Sequence, residues 1–409
     1  MTSVVVVGAS MGGLRVAQAL RRHGHEGNIT LIGDERHLPY DRPPLSKAAL
    51  GGETEPVPSS FVTADDLKTA RISFMGGMSA VALHPDDGVV ELDDGRRLGY
   101  DHIVIATGSR AVTPFQDPPP GVHTLRTFDD ARAIREQMVP GRRMVVVGAG
   151  FIGLEVASSA LDRGMATTVL EAAEVPLTRV LDRSTAEALS HLATKAGVHL
   201  RTGVSVTGFV GDDRVEAVCL EDGTTLEANL VVVGVGSAPN TLWLGSSGLP
   251  LTPAGVTCSP GGRVDGHNHV WAVGDVAGWR GPDGQPKRRE HWTSVIEQAD
   301  VVARNILRPD TNAKLVGADY VWSEQFGHKI NIVGSPHTHD EKVVLSSNPE
   351  TLAVLYAQSG HLVGACIVGQ MPLVLKSRRW IAAGVPVAEI DPWITGPRES
   401  LSRSLNTTQ

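Results

Sequence analysis

The chain has 409 residues, 41% of them apolar and 20% charged, which is enough for two or three globular domains with separate cores. Thirty-seven basic and 45 acidic side chains leave a net charge of −8, and the absence of a recurring basic block argues against nucleic acid as a partner. No apolar run reaches the ~20 residues that span a bilayer, and an apolar strand begins after three residues, so the expectation is a cytoplasmic protein with no signal peptide and no membrane partner.

In chain order, 4–7 (VVVV) predicts a buried strand, 8–13 a glycine turn, and the residues to about Arg22 a helix. Strand 29–33 (ITLIG) follows and ends in Asp34 and Glu35. The next stretch, ERHLPYDRPPLSKAAL, is too rich in proline to be one helix before Pro44. Residues 79–100 alternate like antiparallel strands around a turn at Asp94-Gly95, and HIVIATG predicts a buried strand at 102–108. The plan then repeats: strand 144–147, glycine turn, helix to about Arg163, strand 167–171, helix 184–196, alternating strands over 204–220, a turn at Asp222-Gly223 and strand 230–236. DDGRRLGYDHIVIATG and EDGTTLEANLVVVGVG share one order of turn, short strand and apolar strand ending in glycine. This is an internal duplication, each copy a Rossmann-like unit with an inserted antiparallel sheet. A strand within 263–278 ends in Gly274-Asp275, a helix is predicted over 291–307, and the region beyond about 318 predicts a sheet of three to five strands followed by short helices. The fold class is therefore α/β, with two Rossmann-like dinucleotide-binding domains and a C-terminal α+β domain.

A glycine turn opening a helix binds pyrophosphate because the first helical N–H groups are unpaired and glycine lets the phosphates approach. The second copy has the full G-x-G-x-x-G pattern at Gly148, Gly150 and Gly153. The first, with Gly8, Gly12 and Gly13, carries Ser10 at the middle position; the side chain takes room at the phosphate, although its hydroxyl can donate. An acid ending the second strand accepts from ribose hydroxyls. That acid is Glu171 in the second copy, where it favours a free 2′-OH and repels a 2′-phosphate. In the first copy Asp34 and Glu35 compete for the role. Cys219, Cys258 and Cys366 form no C-x-x-C pair and no metal-ligand spacing with the fifteen histidines, so they read as buried or half-buried small residues and no metal is expected. His267 and His269 fall on one face of a predicted strand, lack a third ligand, and read as surface residues.

Together IATG (105–108), WAVGDVAG (271–278), YDRPPLSK (40–47) and GAGFIGLE (148–155) resemble the FAD-dependent pyridine-nucleotide oxidoreductases. Within them, YDRPPLSK, REHW (289–292) and VWSEQFGHKINIVG (321–334) are similar to the NADH:ferredoxin reductases of bacterial P450 and ring-hydroxylating dioxygenase systems. The resemblance implies an FAD-binding domain in two parts, 1–110 and 239–318, an NADH-binding domain at 111–238 and a C-terminal domain at 319–409. It implies why two dinucleotide units share a chain: NADH delivers two electrons at once, a 2Fe-2S ferredoxin accepts one, and a flavin takes two and releases them singly. It assigns Asp275 to the ribityl chain of FAD, Arg42 and Lys47 to positions beside FAD with Lys47 near flavin N5, and backbone contacts to Thr107 and Gly108. Trp292 and Trp322 match aromatics near the isoalloxazine. Glu155 matches a glutamate facing the lysine and the nicotinamide amide, which makes Lys47 and Glu155 the expected catalytic pair. Phe151, Ile152 and Gly236 complete the implied cofactor-binding set. Ferredoxin docking is expected at Lys287, Arg288 and Arg289, with Lys376, Arg378 and Arg379 as a second basic cluster.

Of three rival functions, two have sequence-level discriminants. A thiol-dependent reductase needs a redox cysteine beside the flavin, and RPPLSKAAL has none. A flavin reductase of another acceptor (rubredoxin, monodehydroascorbate or a quinone) differs by no motif. A non-enzymatic NADH-responsive flavoprotein is expected to carry a long insertion or a basic surface, and this acidic chain shows neither.

Overall fold

The computed structural model describes residues 2–281, 283–289, 292–315 and 317–394, without the side chains of 292, 293 and 391–394. The chain forms two compact units. One comprises the residues up to Asp41, Pro58–Arg110 and the stretch from Ser237 to 315; the other comprises Arg42–Val57, Ala111–Gly236 and the described residues from Gly317 onward.

In the first unit, Val4–Val7 lies inside a five-stranded parallel sheet, between Ile29–Gly33 and His102–Ile105; Ile72–Gly76 and Val270–Ala272 form the edges. All four valines are buried, as a strand covered on both faces requires. Leu14, Val16, Ala17 and Leu20 of helix Met11–Arg22 pack into this core. The strand predicted over 102–108 stops at Ile105. Residues 106–108 leave the sheet and run against the glycine turn, where a Cβ on Gly8 would meet the Ala106 oxygen at 2.2 Å.

The second unit repeats this order. Arg143–Val147 is flanked by Ala166–Glu171 and Leu230–Val233, with His199–Thr202 and Val122–Thr124 outside, all parallel. The copies differ in the source of the fifth strand, which lies downstream in the first unit and upstream in the second. Each carries a three-stranded antiparallel insertion, Ala80–His84, Val89–Leu92 and Arg97–Gly99 in one, and Val206–Val210, Ala217–Leu220 and Thr225–Glu227 in the other. Helix Phe128–Gln137, absent from the pattern reading, opens on a capping box between Thr127 and Asp130. The C-terminal region of the second unit has five antiparallel strands, Tyr320–Gln325, His328–Gly334, His361–Val368, Ala353–Gln358 and Glu341–Ser346 in spatial order. Helices Met371–Ala383 and Val387–Ile394 follow. The expected fold class is the observed one. His267 and His269, expected on one strand face, instead lie in the turn before Val270–Ala272.

Candidate active site

The two glycine turns sit at the carboxyl ends of equivalent strands. In the second, Gly148 has φ +102° and a Cβ there would lie 2.5 Å from the Gly234 oxygen. A Cβ on Gly153 would lie 2.0 Å from the Gly148 oxygen, so only glycine lets strand and helix pass this closely. Gly150 is the N-cap of helix Phe151–Asp162, faces open space, and leaves the helix without a side-chain cap. Its first N–H groups are therefore offered to an anion. The first turn copies the same bonds. Gly8 N–H donates to Ile32 O at 2.8 Å where Gly148 N–H donates to Leu170 O at 2.7 Å, and Leu14 and Leu154 both close on the N-cap oxygen at 3.0 Å. Ser10 stands at the N-cap with φ −94° and no side-chain cap bond. A serine here has an ordinary φ, so the departure from glycine leaves the turn intact.

Around the first turn, the carboxyl edge of one sheet gathers Gly8, Ser10, Gly12, Gly13, Asp34, Glu35, Thr107, Gly108 and Asp275. Asp34 is exposed. Glu35 is half-buried and accepts from the Tyr40 hydroxyl at 2.6 Å. Thr107 Oγ1 donates to Asn240 O at 2.9 Å. Asp275 accepts from Ser109 Oγ at 3.0 Å, and the preceding Gly274 N–H donates to the buried Gln298 Oε1 at 2.7 Å. Tyr40 opens the YDRPPLSK stretch, but its bond to Glu35 has no sequence signal, and Ser109 and Gln298 fall in no motif, their partners Asp275 and Gly274 lying 166 and 24 residues away.

In the second unit, Glu171 Oε2 accepts from Ala149 N–H at 2.8 Å, and Oε1 accepts from Ala173 N–H at 2.9 Å. The strand-end acid is thus fastened to the glycine turn. Ile152 is exposed on the first helical turn, Phe151 is half-buried, and Gly236 faces open space. Lys47 and Glu155, 108 residues apart, form an ion pair of 2.7 Å with Glu155 buried. Ser46 Oγ also donates to Glu155 Oε2 at 2.5 Å, while Ser323 Oγ and the Glu324 N–H donate to Oε1 at 2.6 and 3.2 Å. The segment carrying Lys47 is bound to its own unit through Ser159 Oγ to Ser46 O at 2.8 Å and the buried Arg135 guanidinium, which donates to the Ala49, Leu50 and Thr54 carbonyls. Arg42 Nη1 donates to Arg126 O at 2.7 Å. Trp322 stacks on Tyr320 with centroids 5.9 Å apart, and Lys329 Nζ sits 5.6 Å from the Trp322 ring. The Trp292 side chain lies outside the described residues.

Residues 2–301 match the family model described as pyridine nucleotide-disulphide oxidoreductase, and 320–392 the one described as reductase C-terminal. The chain belongs to the pyridine nucleotide-disulphide oxidoreductase family. Among its relatives is the ferredoxin reductase component of chlorobenzene dioxygenase from Cupriavidus sp. (strain PS12), 38% identical, covering 91% of this chain and 90% of that one. Putidaredoxin reductase CamA of Pseudomonas putida is 34% identical over 94% of this chain and 93% of its own. Among solved structures, the covalent putidaredoxin reductase–putidaredoxin complex aligns with a TM-score of 0.89 at 33% identity, covering 94% of each chain.

The two uncapped glycine turns fit the dinucleotides that the family implies, FAD and NADH. The stretch 42–50 around Lys47 holds no cysteine; Cys219 is half-buried, Cys258 and Cys366 are buried, and none forms a disulfide. Among the described residues, no three His, Cys, Asp or Glu side chains converge on a metal-sized site. No described helix is long and apolar enough to cross a membrane. The basic run on strand Pro286–Arg288 is not uniformly presented. Lys287 is exposed and paired with Asp283 at 2.7 Å, whereas Arg288 is half-buried and donates to Ser237 O at 3.3 Å.

Proposed function

We propose that this chain is an NADH:ferredoxin oxidoreductase, which passes electrons from NADH through FAD, one at a time, to a 2Fe-2S ferredoxin serving a P450 or another oxygenase. The observation that carries it is the pair of uncapped glycine turns at equivalent positions of two like sheets, one site for each dinucleotide. The relatives, ferredoxin reductases of dioxygenase and putidaredoxin systems, support ferredoxin as the acceptor. The absence of cysteine between 42 and 50 disfavours thiol chemistry. We place the reaction in the cytoplasm, in keeping with three unpaired cysteines.

FAD, when bound, accepts a hydride and releases the two electrons singly. The first turn (Gly8, Ser10, Gly12 and Gly13) would hold its pyrophosphate, Glu35 its adenine-side ribose, and Asp275, braced by Ser109, its ribityl hydroxyls. Glu35 is preferred to Asp34 because Tyr40 fixes its carboxylate. The second turn would hold the NADH pyrophosphate, with Glu171 accepting from the ribose and rejecting a 2′-phosphate. Lys47, fixed by Glu155, is the cation this chain offers to the charge that reduction brings. Arg42, Thr107, Gly108, Trp292, Trp322 and Gly236 remain proposed cofactor contacts, and Lys287, Arg288 and Arg289 the proposed ferredoxin contacts.

The deciding experiment measures NADH-dependent cytochrome c reduction by the FAD-loaded protein with and without an added 2Fe-2S ferredoxin. Turnover that requires ferredoxin and survives thiol alkylation is expected. Turnover that ferredoxin does not raise, or that alkylation abolishes, would overturn the reading.

A further inference from the structure

We infer that Ser323 is a positioning residue for the Lys47–Glu155 pair, with Gln325 setting the direction of its hydroxyl. The inference rests on the reading that this pair serves hydride transfer to the flavin. Glu155 is 5% exposed and takes two donors on each oxygen. Both donors on Oε2, Ser46 and Lys47, come from one short segment. A carboxylate gripped through one oxygen turns easily, because its terminal torsion is broad and two-fold. The donors on Oε1 remove that freedom, and both come from strand Tyr320–Gln325, far along the chain.

A serine hydroxyl rotates unless a neighbour fixes it. Here Gln325 Nε2 donates to Ser323 Oγ at 3.1 Å, so the hydroxyl accepts from Gln325 and spends its own hydrogen on Glu155. Positions 323 and 325 alternate onto the same strand face, where Ser323 and Gln325 are 1% and 3% exposed, so water cannot take over either bond. The strand is locked in register with His328–Gly334, Ser323 opposite Ile330 and Gln325 opposite His328. The next residue is tied to the helix that carries Glu155, since Phe326 N–H donates to Ser158 Oγ at 2.8 Å. Serine and glutamine are poor choices for a buried strand face unless their polar atoms are used, and each is. The C-terminal sheet thus fixes the carboxylate plane so that Oε2 faces the Lys47 ammonium.

The test uses Ser323→Ala, Ser323→Thr and Gln325→Met with two readouts. The first is acetylation of Lys47 relative to the exposed Lys68, measured by peptide mass with and without FAD. The second is stopped-flow reduction of the flavin by NADH. Folded Ser323→Ala is expected to acetylate Lys47 roughly tenfold faster and to reduce flavin roughly tenfold more slowly at saturating NADH, with half-saturation moving less than twofold. Ser323→Thr restores a hydroxyl and should return both towards the natural values. Gln325→Met should move both in the same direction by less, and it decides alone if the alanine variant does not fold. Unchanged Lys47 acetylation overturns the inference, and so does a shift in half-saturation with the limiting rate intact. If the natural chain takes no hydride from NADH, the functional reading fails, while the acetylation ratio still decides whether Ser323 positions the pair.

Discussion

Glu171 closes strand Ala166–Glu171 with each carboxylate oxygen on a backbone N–H. A 2′-phosphate brought to that point meets a fixed negative charge, and a 2′-OH meets an acceptor. The difference between losing a charge-assisted bond and keeping it is about 1.5–3 kcal/mol, or roughly 10- to 100-fold in kcat/KM. NADH should therefore be preferred to NADPH by about that factor, and Glu171→Ala should narrow the ratio in parallel steady-state assays; equal use of both donors by the natural chain would refute the assignment. Lys47 poses a different question, because its partner is buried. Lys47→Met removes the cation and leaves Glu155 its three other donors, so flavin reduction by NADH should slow by roughly 100-fold while FAD stays bound, measured by stopped flow. An unchanged rate would make Lys47 a packing residue only. Glu171 was legible in the sequence because a strand-end position defines it. Glu35 was not separable from Asp34, since what separates them is the Tyr40 hydroxyl. Ser323 was invisible, since its partner Glu155 lies 168 residues away.

Helix Arg183–Lys195 is joined to the C-terminal strands of its unit by a half-buried polar knot. Asp182 caps the helix and accepts from Lys342 Nζ at 2.7 Å and from the Tyr356 hydroxyl at 2.8 Å. Burial alone would raise the Asp182 carboxyl, but hydrogen bonds from Lys342, Thr185, Tyr356 and Ser184 outweigh it and hold the group well below the usual carboxylate range. A carboxyl depressed in the folded state stabilises above its unfolded value of about 4, and that contribution drains away as pH falls towards the folded value. Asp182→Asn keeps the shape without the titration. The gap in thermal midpoint between the natural chain and this variant should be widest above about pH 4 and should close at lower pH; a gap independent of pH would contradict the knot. Asp182→Ala strands the Lys342 ammonium and should cost about 3 kcal/mol in urea unfolding at pH 7. The elements themselves were largely legible, since strands 4–7 and 144–147 and both glycine turns announce themselves by period and punctuation. The strands Ile72–Gly76, Val122–Thr124 and His199–Thr202 were not, because they are short and their pattern is set by the neighbour they pair with. The helix expected over 184–196 forms at Arg183–Lys195, but nothing in its own residues tells that Tyr356 and Lys342 meet its cap.

At the scale of the molecule, the duplication was legible because two copies of one turn–strand order stand in the same chain. The source of each fifth strand was not, and neither was the grouping of Arg42–Val57 with the second unit, which combines the burial of Leu45, Ala49 and Leu50 with the Ser46 and Lys47 bonds to Glu155 and the bonds that Arg135 and Ser159 donate to its carbonyls. Flavin retention is proposed to rest on the first unit. Asp275→Ala, which removes the acceptor braced by Ser109, should lower FAD affinity roughly 10- to 100-fold, seen as a fall in flavin absorbance per protein after gel filtration; full retention would move the ribityl contact elsewhere. Ferredoxin docking involves the whole charge distribution. The chain carries −8, so its attraction to an acidic ferredoxin would have to be local. Of the run at 287–289, Lys287 is the most exposed and is partly neutralised by Asp283, while Arg288 is turned inward to Ser237. In helix Met371–Ala383, Lys376 and Arg379 are exposed and Arg378 lies over the Tyr320 ring at 4.9 Å. Docking through the first cluster predicts that Lys287→Glu raises the KM for ferredoxin several-fold. It also predicts that ferricyanide reduction by NADH, which needs no docking, is untouched. Lys376→Glu with Arg379→Glu asks the same of the second cluster. Salt should weaken ferredoxin turnover in the natural chain, as the Debye length falls from about 10 Å at 0.1 M to about 3 Å at 1 M, and should do so less in whichever variant has lost the contact. A ferredoxin KM that ignores salt and both reversals would place the docking surface on apolar ground instead.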